Sequence, residues 1–413
     1  MYSEVFKMDP LDIMLDMERV KPYYQPVFSA DSHEVVGYQV LGYLETERKR
    51  ESIRAFFQDQ NVPDEFKVDM DRHIHRRALD IYLKHNVDAS IFLIVHQSYL
   101  TKTEEEKDFV QELISYQEKG LDLSKVILEI VEQESVEEMD NLSNSLKYLK
   151  TFGVKIAIND AGRGSSNMDR ISTLEPDIIK INLASLLDQS LSVNYQHTIY
   201  SLSILARRVG AELLFDGIES NYHFHYAWRN NGRYYQGPFL STPSEAFIRR
   251  DLLKTRFRKD IQQFIYIERS KINAKYQLTE TLNEKLQQNI KMLSLEKNLE
   301  EEIDRFITNW DEMFFRIYVT DADGFQKTAN YIYTKDAWRQ DLTVKGKNWS
   351  WRPYFIENVI RMNHDQTGIL SDIYNDIETG ERIRTFSYPI DENLYVFMDI
   401  SPMYLDEHED LLW

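Results

Sequence analysis

Two ionisable residues stand inside runs that otherwise read as buried strands: Glu129 in VILEIV and Lys180 in IIKIN. A charge taken out of water is costly unless it is paired or coordinates something. Two readings follow. The pair neutralise each other as a buried ion pair, or they face the mouth of a barrel and do chemistry there. Other polar residues close apolar runs in the same way: Asn159 and Asp160 after VKIAI, Asn182 after IIKIN, Asp216 after ELLFD, and Gln236 before GPFLSTP. Carboxylates, amides and a lysine at the C-terminal ends of strands are how a β/α barrel assembles an active site.

The elements that must position these residues repeat along the chain. Between VKIAI and IIKIN lie a Gly-containing turn and a short segment with helical spacing at Met168, Ile171 and Leu174. Upstream, YYQPVF (23–28) and VVGYQVL (35–41) are joined by a turn too short for a parallel crossover, which predicts a hairpin. The pattern turns helical from Glu51 to His85, strand-like at 91–95, helical over 104–119, strand-like at 126–131 and helical over 135–152. A helix around 198–209 and strands at 212–216 and 233–236 complete about eight strands. The expectation is one α/β TIM-like (β/α)8 barrel over residues 1–250.

With 413 residues, two domains are expected. The absence of cysteine excludes disulfides, thiol catalysis and Cys-ligated metals. A net charge of −19 opposes binding to extended nucleic acid and to anionic lipid. No signal-peptide pattern and no apolar run of membrane length is seen, so a cytoplasmic protein is expected. HExxH, P-loop, GxGxxG and serine-hydrolase motifs are lacking. The pairs His73/His75 and His223/His225 are spaced by two, which points them apart on a helix.

Over residues 15–250 the chain resembles the EAL-domain (cyclic-di-GMP phosphodiesterase) family. The resemblance rests on YYQPVF, GYQVLGYL, VILEIVEQ, IAINDAGRGSS, IIKIN, LFDGIES and YYQGPFLSTP, in the family's order and spacing. It implies two Mg²⁺ or Mn²⁺ ions that clamp a phosphodiester and activate water. It implies metal ligands at Glu129 and Asp160, catalytic roles for Lys180 and a loop-supporting Glu219, and nucleotide contacts at Gln25, Leu41 and Gln236. The chain departs from that pattern where it matters. The signature glutamate is Gln39, the arginine four positions on is Tyr43, and a ligand asparagine aligns with Ile94. Two aspartates are Asn159 and Asn182, and the acid of the seventh strand is the shorter Asp216.

Three anionic positions are thus amides and one ligand is alkyl. A carboxylate about 4 Å from a cation is worth roughly 4 kcal/mol per unit charge at an effective dielectric of about 20. The expectation is a lost two-metal site, no bound cofactor, and little or no phosphodiesterase activity.

No Gly or Pro occurs from Ser244 to Asp323, and Leu282, Leu286, Ile290 and Leu293, then Leu295, Leu299 and Ile303, are helically spaced. A helical linker over 251–304 is expected, contributing to a homodimer. Residues 305–413 read as antiparallel strands with one helix. They resemble the PAS/Cache sensor fold through WRPYF and SDIYNDIETG, a resemblance that makes Arg352, Tyr354, Tyr374 and Asp376 candidate ligand contacts. Core aromatics with a surface arginine are the competing reading.

The functional expectation is a catalytically degenerate EAL barrel. It would serve as a cyclic-di-GMP receptor or a partner-binding module regulated by the C-terminal sensor. The alternatives are a weak residual phosphodiesterase and a nucleotide-blind scaffold that binds a protein partner.

Overall fold

The computed structural model describes residues 10–46, 50–59, 61–96, 98–101, 103–131, 139–159, 167–184, 192–291, 299–310, 313–334, 337–352 and 355–411. The chain divides into two compact units, residues 1–261 and 262–413. Among the described residues no helix is long and apolar enough to cross a membrane.

The first unit begins with the expected hairpin. Strands β1 (Val20–Ser29) and β2 (Val35–Glu45) pair antiparallel from Val20↔Leu44 to Phe28↔Val35. The segment 51–85, expected to be helical throughout, opens instead with a short strand, β3 (Arg50–Ser52). It folds back on the end of β2, with Tyr43 opposite Ser52, and covers an edge that would otherwise stay unpaired. Helices Arg54–Gln58 and Asp64–Lys84 follow.

The remaining strands are β4 (Ser90–Val95), β5 (Val126–Ile130), β6 (Lys155–Ile158), β7 (Ile178–Asn182), β8 (Glu212–Asp216) and β9 (Gly232–Tyr235). They run in the order β1-β9-β8-β7-β6-β5-β4-β2, and the β1–β2 pairing closes the ring into an eight-stranded barrel. Neighbours from β2 round to β9 are parallel, while β1 runs antiparallel to both β2 and β9.

One apolar layer fills the barrel. Val27, Phe92, Ile127, Ala157, Ile178 and Leu214 are buried together, with Val36 and Tyr234 packed against them, so each of the eight strands contributes. Gly37 belongs to this layer by necessity, because a Cβ there would lie 2.6 Å from the Phe92 ring.

In the second unit, β10 (Phe314–Asp321), β11 (Asn330–Thr334), β12 (Ala337–Asp341), β13 (Ile369–Leu370), β14 (Tyr374–Asn375), β15 (Arg382–Ile383), β16 (Thr385–Pro389) and β17 (Leu394–Ile400) form an antiparallel sheet of order β12-β11-β10-β17-β16-β13 and a separate β14–β15 pair. Two of the long strands expected from sequence are split in two. GILSDIYND divides into β13 and β14, and ETGERIRTFSYPI into β15 and β16. The helix expected after NWSWRP is Phe355–Asp365.

Residues expected to be a linker share this unit's core. Leu282 and Leu286 of the helix Lys254–Ile290 pack with Ile303, Phe306 and Ile307 of the helix Leu299–Ile307, and with Phe314, Val396 and Met398. Leu293 and Leu295 lie outside the described residues.

A crossing of two loops in the first unit fixes the last strand's end. Ile218 N–H donates to the Gln236 carbonyl at 3.1 Å and Phe239 N–H to the Ile218 carbonyl at 3.0 Å. Gly237 sits between them at φ +149°, where a Cβ would be 2.3 Å from the Ile218 nitrogen. Gly237→Ala is expected to cost at least about 2 kcal/mol through backbone strain. Urea unfolding checks this, and a midpoint equal to the wild type's contradicts the crossing.

Candidate functional site

Strand alternation builds the site. Successive side chains point to opposite faces, so a residue two positions beyond the apolar layer faces the same interior, nearer the mouth. Two residues past Ile127, Ile178, Leu214, Ala157, Phe92 and Gly37 come Glu129, Lys180, Asp216, Asn159, Ile94 and Gln39. On the antiparallel β1, two residues before Val27 is Gln25, and two past Tyr234 is Gln236. The polar layer is therefore the ring above the apolar one.

Both readings of Glu129 and Lys180 hold together. The Lys180 ammonium donates to both Glu129 oxygens at 3.3 Å and lies 3.4 Å from Asp216 Oδ2. Lys180 also lines a cavity, whereas Glu129 is fully buried. Gln39 Nε2 donates to Glu129 Oε2 at 2.7 Å, and Gln236 Nε2 donates to Gln39 Oε1 at 2.5 Å. Burial opposes the Lys180 charge, but Asp216 and Glu129 outweigh it and hold the ammonium above the ordinary lysine value. Burial pushes the Glu129 carboxyl up, while Lys180 beside it pulls the other way.

The cavity, of about 410 Å³, opens over this layer. Gln25, Gln39, Asn159, Asn182 and Asp216 line it with Lys180, and Leu41, Tyr43, Ile53 and Phe57 supply apolar wall. Gln236 reaches the site through Gln39. Glu219 does not line the cavity: it is exposed, and its N–H donates to His223 Nδ1 at 3.3 Å. Asp160 lies outside the described residues.

Several lining residues escaped sequence reasoning. Asp71 and His75, one turn apart on the helix Asp64–Lys84, reach the cavity beside Ile94 and His96. Asp71 Oδ2 accepts from the His96 N–H at 3.1 Å, and His75 Nε2 meets the Ile94 carbonyl at 2.9 Å. Burial raises the Asp71 pKa to about 8 and lowers that of His75 to about 4, so both are neutral at pH 7. Their i, i+4 spacing, which puts both on one face of the helix, is the signal in the sequence.

Among the described residues the donor set does not fit a two-ion cluster. Hard divalent ions need several anionic oxygens. The described carboxylates of the polar layer, Glu129 and Asp216, are already bridged by an ammonium. Asn182 Oδ1 accepts from Ala184 N–H at 2.9 Å and Asp216 Oδ1 from Gly217 N–H at 2.7 Å. Among the described residues no three His, Asp or Glu side chains are placed to hold a metal ion.

The candidate contacts of the second unit are divided. Arg352 and Tyr374 line one cavity of about 10 Å³, room for a single water. The Tyr374 hydroxyl is 2.6 Å from Thr385 Oγ1, which donates to Asp399 Oδ1 at 2.5 Å. Asp376 instead receives Arg316 at 2.6 Å in a buried cluster with Asp399. Tyr354 lies outside the described residues.

Two predictions follow from these burials. Lys180→Met leaves two carboxylates facing each other without a cation and is expected to cost about 3–5 kcal/mol in urea unfolding. Adding Glu129→Gln restores a large part of that loss, and strict additivity of the two variants contradicts the coupling. For Asp71, the folded pKa of about 8 exceeds the ordinary 3.8. The native state thus binds the extra proton between those values, and stability falls as pH rises through that window. The stability of wild type relative to Asp71→Asn is expected to decline from about pH 4 to about pH 8 and then level off. A flat difference contradicts the assignment.

Comparison with known proteins agrees with this architecture. Residues 9–243 match the EAL domain, and residues 247–412 match the EAL-domain associated signalling protein domain. The Bacillus subtilis EAL-domain containing protein YkuI is 41% identical over 409 residues, 98% of this chain and 100% of YkuI. The crystal structure of YkuI in complex with substrate c-di-GMP and calcium aligns with a TM-score of 0.89 at 40% identity, covering 98% of this chain and 100% of that one. An EAL domain protein from Listeria monocytogenes, 20% identical over 58% of this chain and 96% of its own, shares the barrel fold at a TM-score of 0.50. With its barrel and its C-terminal unit both matched and a relative 41% identical over nearly the whole length, the chain belongs to the EAL-domain family, in the branch that carries the associated signalling domain.

Proposed function

We propose that the barrel is a cyclic-di-GMP receptor that does not turn the nucleotide over at a useful rate. The observation that carries the reading is the Lys180 ammonium set between Glu129 and Asp216 in the ring where the family's ions would be held. An ammonium so placed repels a divalent cation, and among the described residues the ring leaves no spare carboxylate to deprotonate water. Support for nucleotide binding comes from the 410 Å³ cavity, which keeps Gln25 and Leu41 on its wall. It also comes from the c-di-GMP complex of YkuI, a relative 41% identical to this chain.

A residual phosphodiesterase is the second reading, favoured by the retained Glu129 and Lys180. In the first reading the second unit is a regulatory, PAS/Cache-like module acting on the barrel of a cytoplasmic homodimer, with a protein partner reading the output.

Calorimetric titration of c-di-GMP into the pure full-length protein, with and without Mn²⁺, separates the readings. The expected outcome is micromolar or tighter binding in both conditions, with no linearised product after prolonged incubation. Mn²⁺-dependent conversion that Lys180→Ala abolishes would establish the enzyme. No heat in either condition would leave a scaffold.

A further inference from the structure

The helix Phe355–Asp365 carries apolar side chains on two of its faces. Phe355, Val359 and Met362 are buried against Tyr395 and Phe397 of β17, as an amphipathic helix packs on a sheet. Ile356 and Ile360, one turn apart on another face, are 61% and 64% exposed. Trp351, in the turn ahead of the helix, is 65% exposed. Single exposed apolar residues are ordinary, but a row of them along one helix face marks an interaction surface.

The charges beside this row say what covers it. At about 100° per residue, Glu357 and Arg361 fall on one flank of the Ile356–Ile360 row, one turn apart. Val359 and Asn363 lie towards the other flank and carry no charge. Both charged side chains are exposed; Arg361 reaches Asp365 at 3.6 Å, a solvent-screened pair, and Glu357 has no ion pair among the described residues. Laid antiparallel about a two-fold axis, two such helices bring each flank against itself. Ile356 then meets Ile360 of the partner subunit, and Glu357 meets Arg361 of the partner subunit, each contact made twice. A parallel pair sets the charged flank against the uncharged one and pairs neither charge. For chains of net charge −19, the self-matching flank also places attraction where two copies would otherwise repel.

We infer that this face is a contact between two copies of the chain, with the helices Phe355–Asp365 packed antiparallel across the Ile356–Ile360 row. The inference rests on the homodimer reading above and names one surface that holds the dimer together. One face of an 11-residue helix is small against the roughly 800 Å² per partner of a standard interface, so it is one contact among those of the dimer.

The test is sedimentation velocity of the full chain over a dilution series in about 150 mM NaCl, where the screening length is about 8 Å. Wild type, Ile360→Asp, Glu357→Arg, Arg361→Glu and the double variant Glu357→Arg with Arg361→Glu are compared. The wild type is expected to sediment as a dimer. Ile360→Asp is expected to raise its dissociation constant by about tenfold or more, because the two-fold axis removes the contact twice. Either charge reversal alone sets like charges against each other and raises it by about fivefold or more. The double variant restores both pairs and returns to within about twofold of the wild type. All three positions are exposed, so an unchanged far-ultraviolet circular dichroism spectrum will show that each variant is folded. A wild-type dimer that Ile360→Asp and both reversals leave within about twofold overturns this contact while the homodimer reading stands. A double variant no tighter than the single reversals overturns the antiparallel register. A monomeric wild type removes the contact and the homodimer together.

Discussion

An ammonium enclosed in a β-barrel must be balanced by negative charge a few ångströms away, or the barrel does not form around it. Lys180, 1% exposed, meets that condition with Glu129 at 3.3 Å and Asp216 at 3.4 Å. The rest of the site is arranged round this triad. Gln39 gives its N–H to the same carboxylate and takes Gln236 on its oxygen, so two amides on opposite sides of the hairpin closure complete the network. An apolar replacement of Gln39 would take one donor from Glu129 Oε2 and leave the Gln236 amide without its acceptor in a buried environment. The polar ring is therefore a structural unit as much as a binding surface, and any ligand must come to it from the cavity side.

The cavity itself is made by elements outside the barrel's regular repeat. The antiparallel β1 brings Gln25 into the ring from a reversed strand. The β3 turn and the helix after it raise a wall of Ser52, Ile53, Arg54 and Phe57 over the end of β2. The helix Asp64–Lys84 supplies Asp71 and His75, both buried, neutral and bonded to the end of β4. Among the described residues the site thus pairs few uncompensated charges with much hydrogen-bonding capacity, the property on which the proposed receptor role rests.

Much of this was legible in the sequence because the barrel obeys a period of two. An acid in VILEIV and a lysine in IIKIN can face only the interior, and the shared ring follows from their equal distance from the apolar layer. The hairpin was readable from its short turn. The β3 strand was not, because RES has no strand composition, and its pairing partner is set by the barrel edge rather than by its own residues. In the second unit, SDIYND and ERIRT break into two-residue strands where the chain passes between sheets, and period alone does not mark such breaks. Asp376 looked like a ligand contact, but its charge is used by Arg316, a residue that a local motif does not include.

The most direct test of the central claim is a crystal structure of the protein grown with c-di-GMP and excess Mn²⁺, with data collected at the manganese absorption edge. The account predicts nucleotide density in the cavity, Lys180 still bonded to Glu129 and Asp216, and no pair of anomalous peaks in the polar ring. Two manganese peaks bridged by a phosphodiester oxygen, with Lys180 displaced from Glu129, would contradict it.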